Sequence, residues 1–66
     1  MADWAVVYTT NAETHAELMR QMLVSNDILV LMLNKKDSLY HFGEIELSVK
    51  GENVIAARRL IEKAVE

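Results

Sequence analysis

Apolar residues recur along this 66-residue chain at two spacings, strand-like in three places and helical in two. Trp4-Ala5-Val6-Val7-Tyr8-Thr9 is rich in β-branched and aromatic residues and predicts a first strand. Thr10 with Glu13 three residues on fits a capping box, and Asn11 is an equally good cap, so a helix is expected from here to about Ser25. On a helical wheel Ala12, Ala16, Met19, Met22 and Leu23 share one arc, with Glu13, Glu17, Arg20 and Gln21 opposite. Ser25-Asn26-Asp27 is a stop-and-turn cluster.

Ile28-Leu29-Val30-Leu31-Met32-Leu33 has the length of a strand but no alternation, the pattern of a strand covered on two sides. Glu44-Ile45-Glu46-Leu47-Ser48-Val49-Lys50 alternates strictly, with Ile45, Leu47 and Val49 on one face. Gly51 ends that strand, and Glu52 or Asn53 opens a last helix whose buried stripe is Val54, Ala57, Leu60, Ile61, Ala64 and Val65; Ile55 falls off the stripe. The order β-α-β-β-α predicts a single α+β domain spanning residues 1–66. Two arrangements satisfy a right-handed first crossover: strand three between strands one and two, antiparallel throughout, or strands one and two paired directly in parallel. The first is preferred: a two-layer sandwich with sheet order 1-3-2 and both helices on one face, a ferredoxin-like unit lacking its fourth strand. That architecture leaves the edge of strand one open, and the uncovered sheet face carries apolar residues from strands one and two. Self-association through the face or that edge is therefore expected.

Composition sharpens the expectation. Apolar residues make up 52% of the chain and charged residues 26%, while a domain this small hides only about 60% of the surface of its extended chain. Part of the apolar excess needs cover beyond a monomer's own core. The longest unbroken apolar stretch, Ile28 to Leu33, is far short of a membrane span, and Met1-Ala2-Asp3-Trp4 lacks a secretory signal's basic start. Without cysteine there is neither a disulfide framework nor a thiolate metal site, and a cytoplasmic location is the expectation. Seven Lys and Arg against ten Asp and Glu give a net charge of −3, which repels nucleic-acid phosphates. No nucleic-acid or membrane partner and no cofactor is expected.

The chemistry-bearing residues gather between strands two and three, in Asn34-Lys35-Lys36-Asp37-Ser38-Leu39-Tyr40-His41-Phe42-Gly43, a long connection for a hairpin. Asn34, Asp37, Ser38, Tyr40, His41 and Glu44 are the candidate ligand-binding residues. Asp37, Ser38 and His41 are the residue types of a hydrolytic triad, but a triad also needs an oxyanion hole in a closed pocket. Asx and Ser turns that stabilise the loop are the simpler reading, and no catalytic residue is assigned. Asp37, His41, Glu44 and His15 are usable metal ligands, yet no ligand spacing supports a metal site. His15, flanking the buried arc, reads as a partly buried rim residue. Lys35-Lys36 reads as a solvated pair, Met19 and Met22 as core filler. Trp4 and Tyr8, sharing a strand face, read as aromatic core or dimer contact before a ring-stacking site.

Val7-Tyr8-Thr9-Thr10-Asn11, Ala16-Glu17-Leu18, Asn34-x-x-Asp37-Ser38 and Gly43-Glu44-Ile45-Glu46-Leu47-x-Val49 together resemble an uncharacterised family of short bacterial domains labelled prokaryotic signal transducing proteins. The resemblance covers nearly the whole chain. It implies a ferredoxin-like or PII-like β-α-β-β-α fold and brings no catalytic residues with it; at the position of His15 the family often carries an acidic residue. The signalling role it implies is a likeness of fold. The expected function is a small regulatory or binding module, dimeric, acting through its open sheet face and the 34–43 loop. The alternatives are a small enzyme or ligand site built on the 34–44 loop, and a structural subunit of a larger assembly.

Overall fold

Strand three organises the molecule. In the structure, a computed structural model describing residues 3–35 and 44–65, the elements are β1 (Trp4–Thr10), α1 (Glu13–Ser25), β2 (Val30–Asn34), β3 (Ile45–Lys50), a single 3-10 turn (Gly51–Asn53) and α2 (Val54–Val65). The three strands form one antiparallel sheet in the order β1-β3-β2. This is the α+β sandwich expected from the sequence, in the first of its two arrangements. Ile45, Leu47 and Val49 are fully buried, while Glu46 and Ser48 between them are half-buried on the other face. Both helices pack on the first face: Leu23 of α1 and Ala57 and Ile61 of α2 join Val49 and Ile28 in one cluster. Each large apolar side chain buried here contributes about 1.5–3 kcal/mol.

A bulge in β1 decides which of its residues reach that core. Ala5 pairs with Val49 and Val6 with Ser48, but the next partner of Leu47 is Tyr8, so Val7 is an extra residue. Beyond the bulge the alternation changes phase. Ala5, Tyr8 and Thr10 lie on the face of Val49, Leu47 and Ile45, whereas Trp4, Val6 and Thr9 lie on the opposite one. Both Val7 and Tyr8 thereby pack against the core. The expected sharing of one face by Trp4 and Tyr8 is therefore corrected, because simple alternation takes no account of the inserted residue.

The helix ends have identifiable causes. The cap residue of α1 is Ala12, whose methyl group offers no acceptor, so the expected capping box does not form. Instead the Thr10 hydroxyl accepts the Ala12 N–H at 3.1 Å, a tight turn leading into the helix. The C-terminus closes as a Schellman motif. Ile28 N–H donates to the Leu23 carbonyl at 3.1 Å and Asp27 N–H to that of Val24 at 3.0 Å. Asp27 takes the left-handed conformation the motif requires, with φ 64°, and Ile28 and Leu23 supply its apolar contact within the core. Serine and asparagine side chains, Ser25 and Asn26, cover the Met22 carbonyl, each at 2.8 Å. At the other end of the sheet, Gly51 N–H donates to the Asp3 carbonyl at 2.7 Å, tying the strand-to-helix turn to the start of the chain.

Two apolar patterns are narrower in space than on the wheel. His15 is exposed rather than partly buried, since the covered arc of α1 centres on Ala16 and Leu23. On α2 the coverage ends at Ile61, leaving Ala64 and Val65 exposed; Ile55 is exposed, as its position off the stripe predicts.

Leu47→Ala, which empties a fully buried site, is expected to lower stability by ~2–5 kcal/mol. A chain this small has about 3–5 kcal/mol in total, so the variant loses its cooperative melt in circular dichroism, whereas Ile55→Ala stays within ~0.5 kcal/mol of the parent. Asp27→Gly relieves a left-handed non-glycine residue and is expected to raise the unfolding free energy in a denaturant titration by up to ~1 kcal/mol; Asp27→Val lowers it.

Candidate functional site

The sheet face away from the helices leaves several apolar side chains uncovered. From β1 it receives Trp4, Val6 and Thr9, from β3 Glu46, Ser48 and Lys50, and from β2 Leu31 and Leu33. Val6 is 44% exposed, Leu31 50% and Leu33 51%; Leu29, just before β2, is 61% exposed. The sequence reads Ile28–Leu33 as covered on both sides, but β2 is an edge strand and only Ile28 is buried. Its two-sided apolar character is not matched by two covering layers within one chain.

Polar groups frame this face on one side. Lys35 Nζ lies 3.1 Å from Glu46 Oε2, an ion pair next to Leu33, and the backbone continues the ladder with Lys35 N–H donating to the Glu44 carbonyl at 2.9 Å. Glu44 thus stands at the parity of Glu46, toward the open face. Asn34 pairs with Ile45 and belongs to the helix face. The two candidate residues therefore flank the start and end of the loop on opposite sides of the sheet and do not meet in one site. Asp37, Ser38, Tyr40 and His41, the other candidates, lie outside the described residues, as do Lys36, Leu39, Phe42 and Gly43.

On the helix side, the free margin of β2 and the first half of α1 enclose an open groove of about 530 Å³. Ala16, Leu18, Met32 and Ile45 form its apolar wall, and Glu13, Glu17 and Asn34 its polar rim. Glu17 is hydrogen-bonded and ion-paired to Arg20, with Gln21 Nε2 at 3.5 Å. The Arg20 hydrogen bond holds the Glu17 carboxyl below the usual carboxylate range, and Glu17 in turn raises Arg20. The pair is charged at neutral pH, and its small contribution to the helix is lost only as pH falls through the lowered Glu17 value. An exposed carboxylate with one committed guanidinium partner anchors a surface; it supplies neither a base with a raised pKa nor a nucleophile. Among the described residues no three His, Asp or Glu side chains gather into a metal-binding set.

The groove escapes sequence reasoning because it depends on the separation of β2 from α1. One signal for the open face is present in the chain itself: the stretch from Ile28 to Asn34 holds seven residues without a charge. Natural edge strands are usually marked by one.

Because Leu31 takes no part in the core, Leu31→Ser is expected to leave the unfolding free energy within ~0.5 kcal/mol of the parent at high dilution. A loss of ~2 kcal/mol or more in a dilute denaturant titration would mean that the face is already covered within one chain.

No family model, no curated protein and no solved structure matches this chain.

Proposed function

We propose that this chain is a small regulatory or binding module rather than an enzyme, working as a homodimer through its open sheet face and the 34–43 loop. One observation carries the reading: Val6, Leu31 and Leu33 stand about half exposed on the open face of a three-stranded sheet. Exposed apolar side chains on the flanking strands, beside polar groups of the middle strand such as Glu46 in its pair with Lys35, are typical of interaction surfaces. The resemblance of its motifs to a family labelled as signal-transducing gives the module its regulatory sense, and a cytoplasmic location accords with a sequence that has no cysteine. The net charge of −3 speaks against nucleic acid as the partner. No helix among the described residues is long and apolar enough to cross a membrane.

Sedimentation equilibrium at tens of micromolar is expected to return a mass near twice the 7.5 kDa of the chain. A thermal-shift screen of nucleotides, common metabolites and divalent metals is expected to find a stabilising ligand, since saturation at 100 times Kd adds about 2.7 kcal/mol to a marginal fold. A monomeric mass together with a flat screen would defeat the reading.

A further inference from the structure

We propose that two copies of the chain pair through the outer edge of β2, strand against strand and antiparallel, so that two separate sheets become one continuous sheet of order 1-3-2-2-3-1. The proposal rests on the self-association inferred above and specifies its geometry.

The two edges of the sheet are not equivalent. In β2 the hydrogen-bonded rungs to β3 fall at alternate residues; Lys35 opposite Glu44 is one, so Leu33 and Leu31 are the next. The backbone groups of Val30 and Met32 consequently point outward, at the regular two-residue spacing that another strand requires. In β1 the extra residue at Val7 breaks that spacing, because the rungs from Ala5 and Tyr8 are three residues apart. A bulge is a common protection of an edge against pairing. The β2 edge has none: it is regular in register and carries no charge and no proline from Val30 to Asn34.

A second copy is the occupant that fits this edge, since β2 complements itself. With a two-fold axis at Met32, Met32 faces its counterpart and exchanges both backbone hydrogen bonds with it, while Leu31 of each copy meets Leu33 of the other on the open face. Cross-strand apolar pairs of this kind stabilise a sheet. Charge favours the same orientation. Asp27 lies before the uncharged segment and Lys35 after it, so antiparallel pairing brings the acidic end of each copy beside the basic end of the other. Parallel pairing would set like beside like. The joined sheets also place both open faces on the same side, giving one apolar surface of doubled extent.

The chain has no cysteine, so a single introduced thiol reports contacts between copies without interference. In the proposed pair the two Met32 Cα atoms stand about 5.5 Å apart, within reach of a disulfide. Under mild oxidation Met32→Cys is expected to run at doubled mass on a denaturing gel, and Val6→Cys, near the other edge, at single mass. Leu33→Lys, at a half-exposed position, is expected to weaken the dimer by about tenfold or more with an unchanged circular dichroism spectrum. A dimeric mass without cross-linking of Met32→Cys, or with preferential cross-linking of Val6→Cys, overturns the β2 pairing while leaving the self-association in place. A parent chain that sediments as a monomer at tens of micromolar overturns both.

Discussion

Ile45, Leu47 and Val49 lie beneath two helices and between two strands, and the rest of the molecule depends on the burial of that one face of β3. A three-stranded sheet has a single interior strand, and only that strand has both rows of backbone groups satisfied within the sheet. β3 takes the place because its polar and apolar residues separate cleanly. The helices cover one face, and Glu46, Ser48 and Lys50 tolerate the absence of cover on the other. Putting β2 in the middle would have set Leu31 and Leu33 at the centre of the uncovered face.

The flanking strands carry the cost of this arrangement. β1 and β2 each keep one row of backbone groups outside the sheet, and each places apolar residues on the open face. They deal with it differently. The bulge in β1 turns both Val7 and Tyr8 toward the core and leaves Thr9 outward, which reduces its apolar exposure and roughens its margin. β2 remains straight and uncharged, with the ion pair of Lys35 and Glu46 just beyond it. Asymmetry between the two margins is what gives this small domain a direction.

The strict alternation of β3 and the 3.6-residue spacing of α1 and α2 were legible in the sequence because each is a local record of one covered face. Ile55 could be placed outside for the same reason, and Ser25-Asn26-Asp27 marked the end of α1, although not the Schellman hydrogen bonds that make Asp27 left-handed. What escaped depended on neighbours. The bulge at Val7 follows from the pairing of β1 with β3 and leaves no trace in composition. The run from Ile28 to Leu33 looked like a doubly covered strand because apolar residues on both faces are the sign of two layers, whether those belong to one chain or two. His15 looked half-buried because a wheel does not show how narrow a strip the sheet covers. Of the candidate site, the sequence located Asn34 and Glu44 at the base of the loop, but only the register revealed that they face opposite sides.

A strand can be read as a two-beat rhythm, and the extra residue at Val7 is a missed beat. Before it, odd-numbered positions belong to the interior; after it, even-numbered ones do. The first strand thus obeys two contrary grammars, and running all seven residues as one unbroken alternation would exchange inside for outside along one half without changing a single amino acid. Homologues compared position by position would show opposite substitution tolerances on the two sides of that point, although all seven residues belong to one continuous strand.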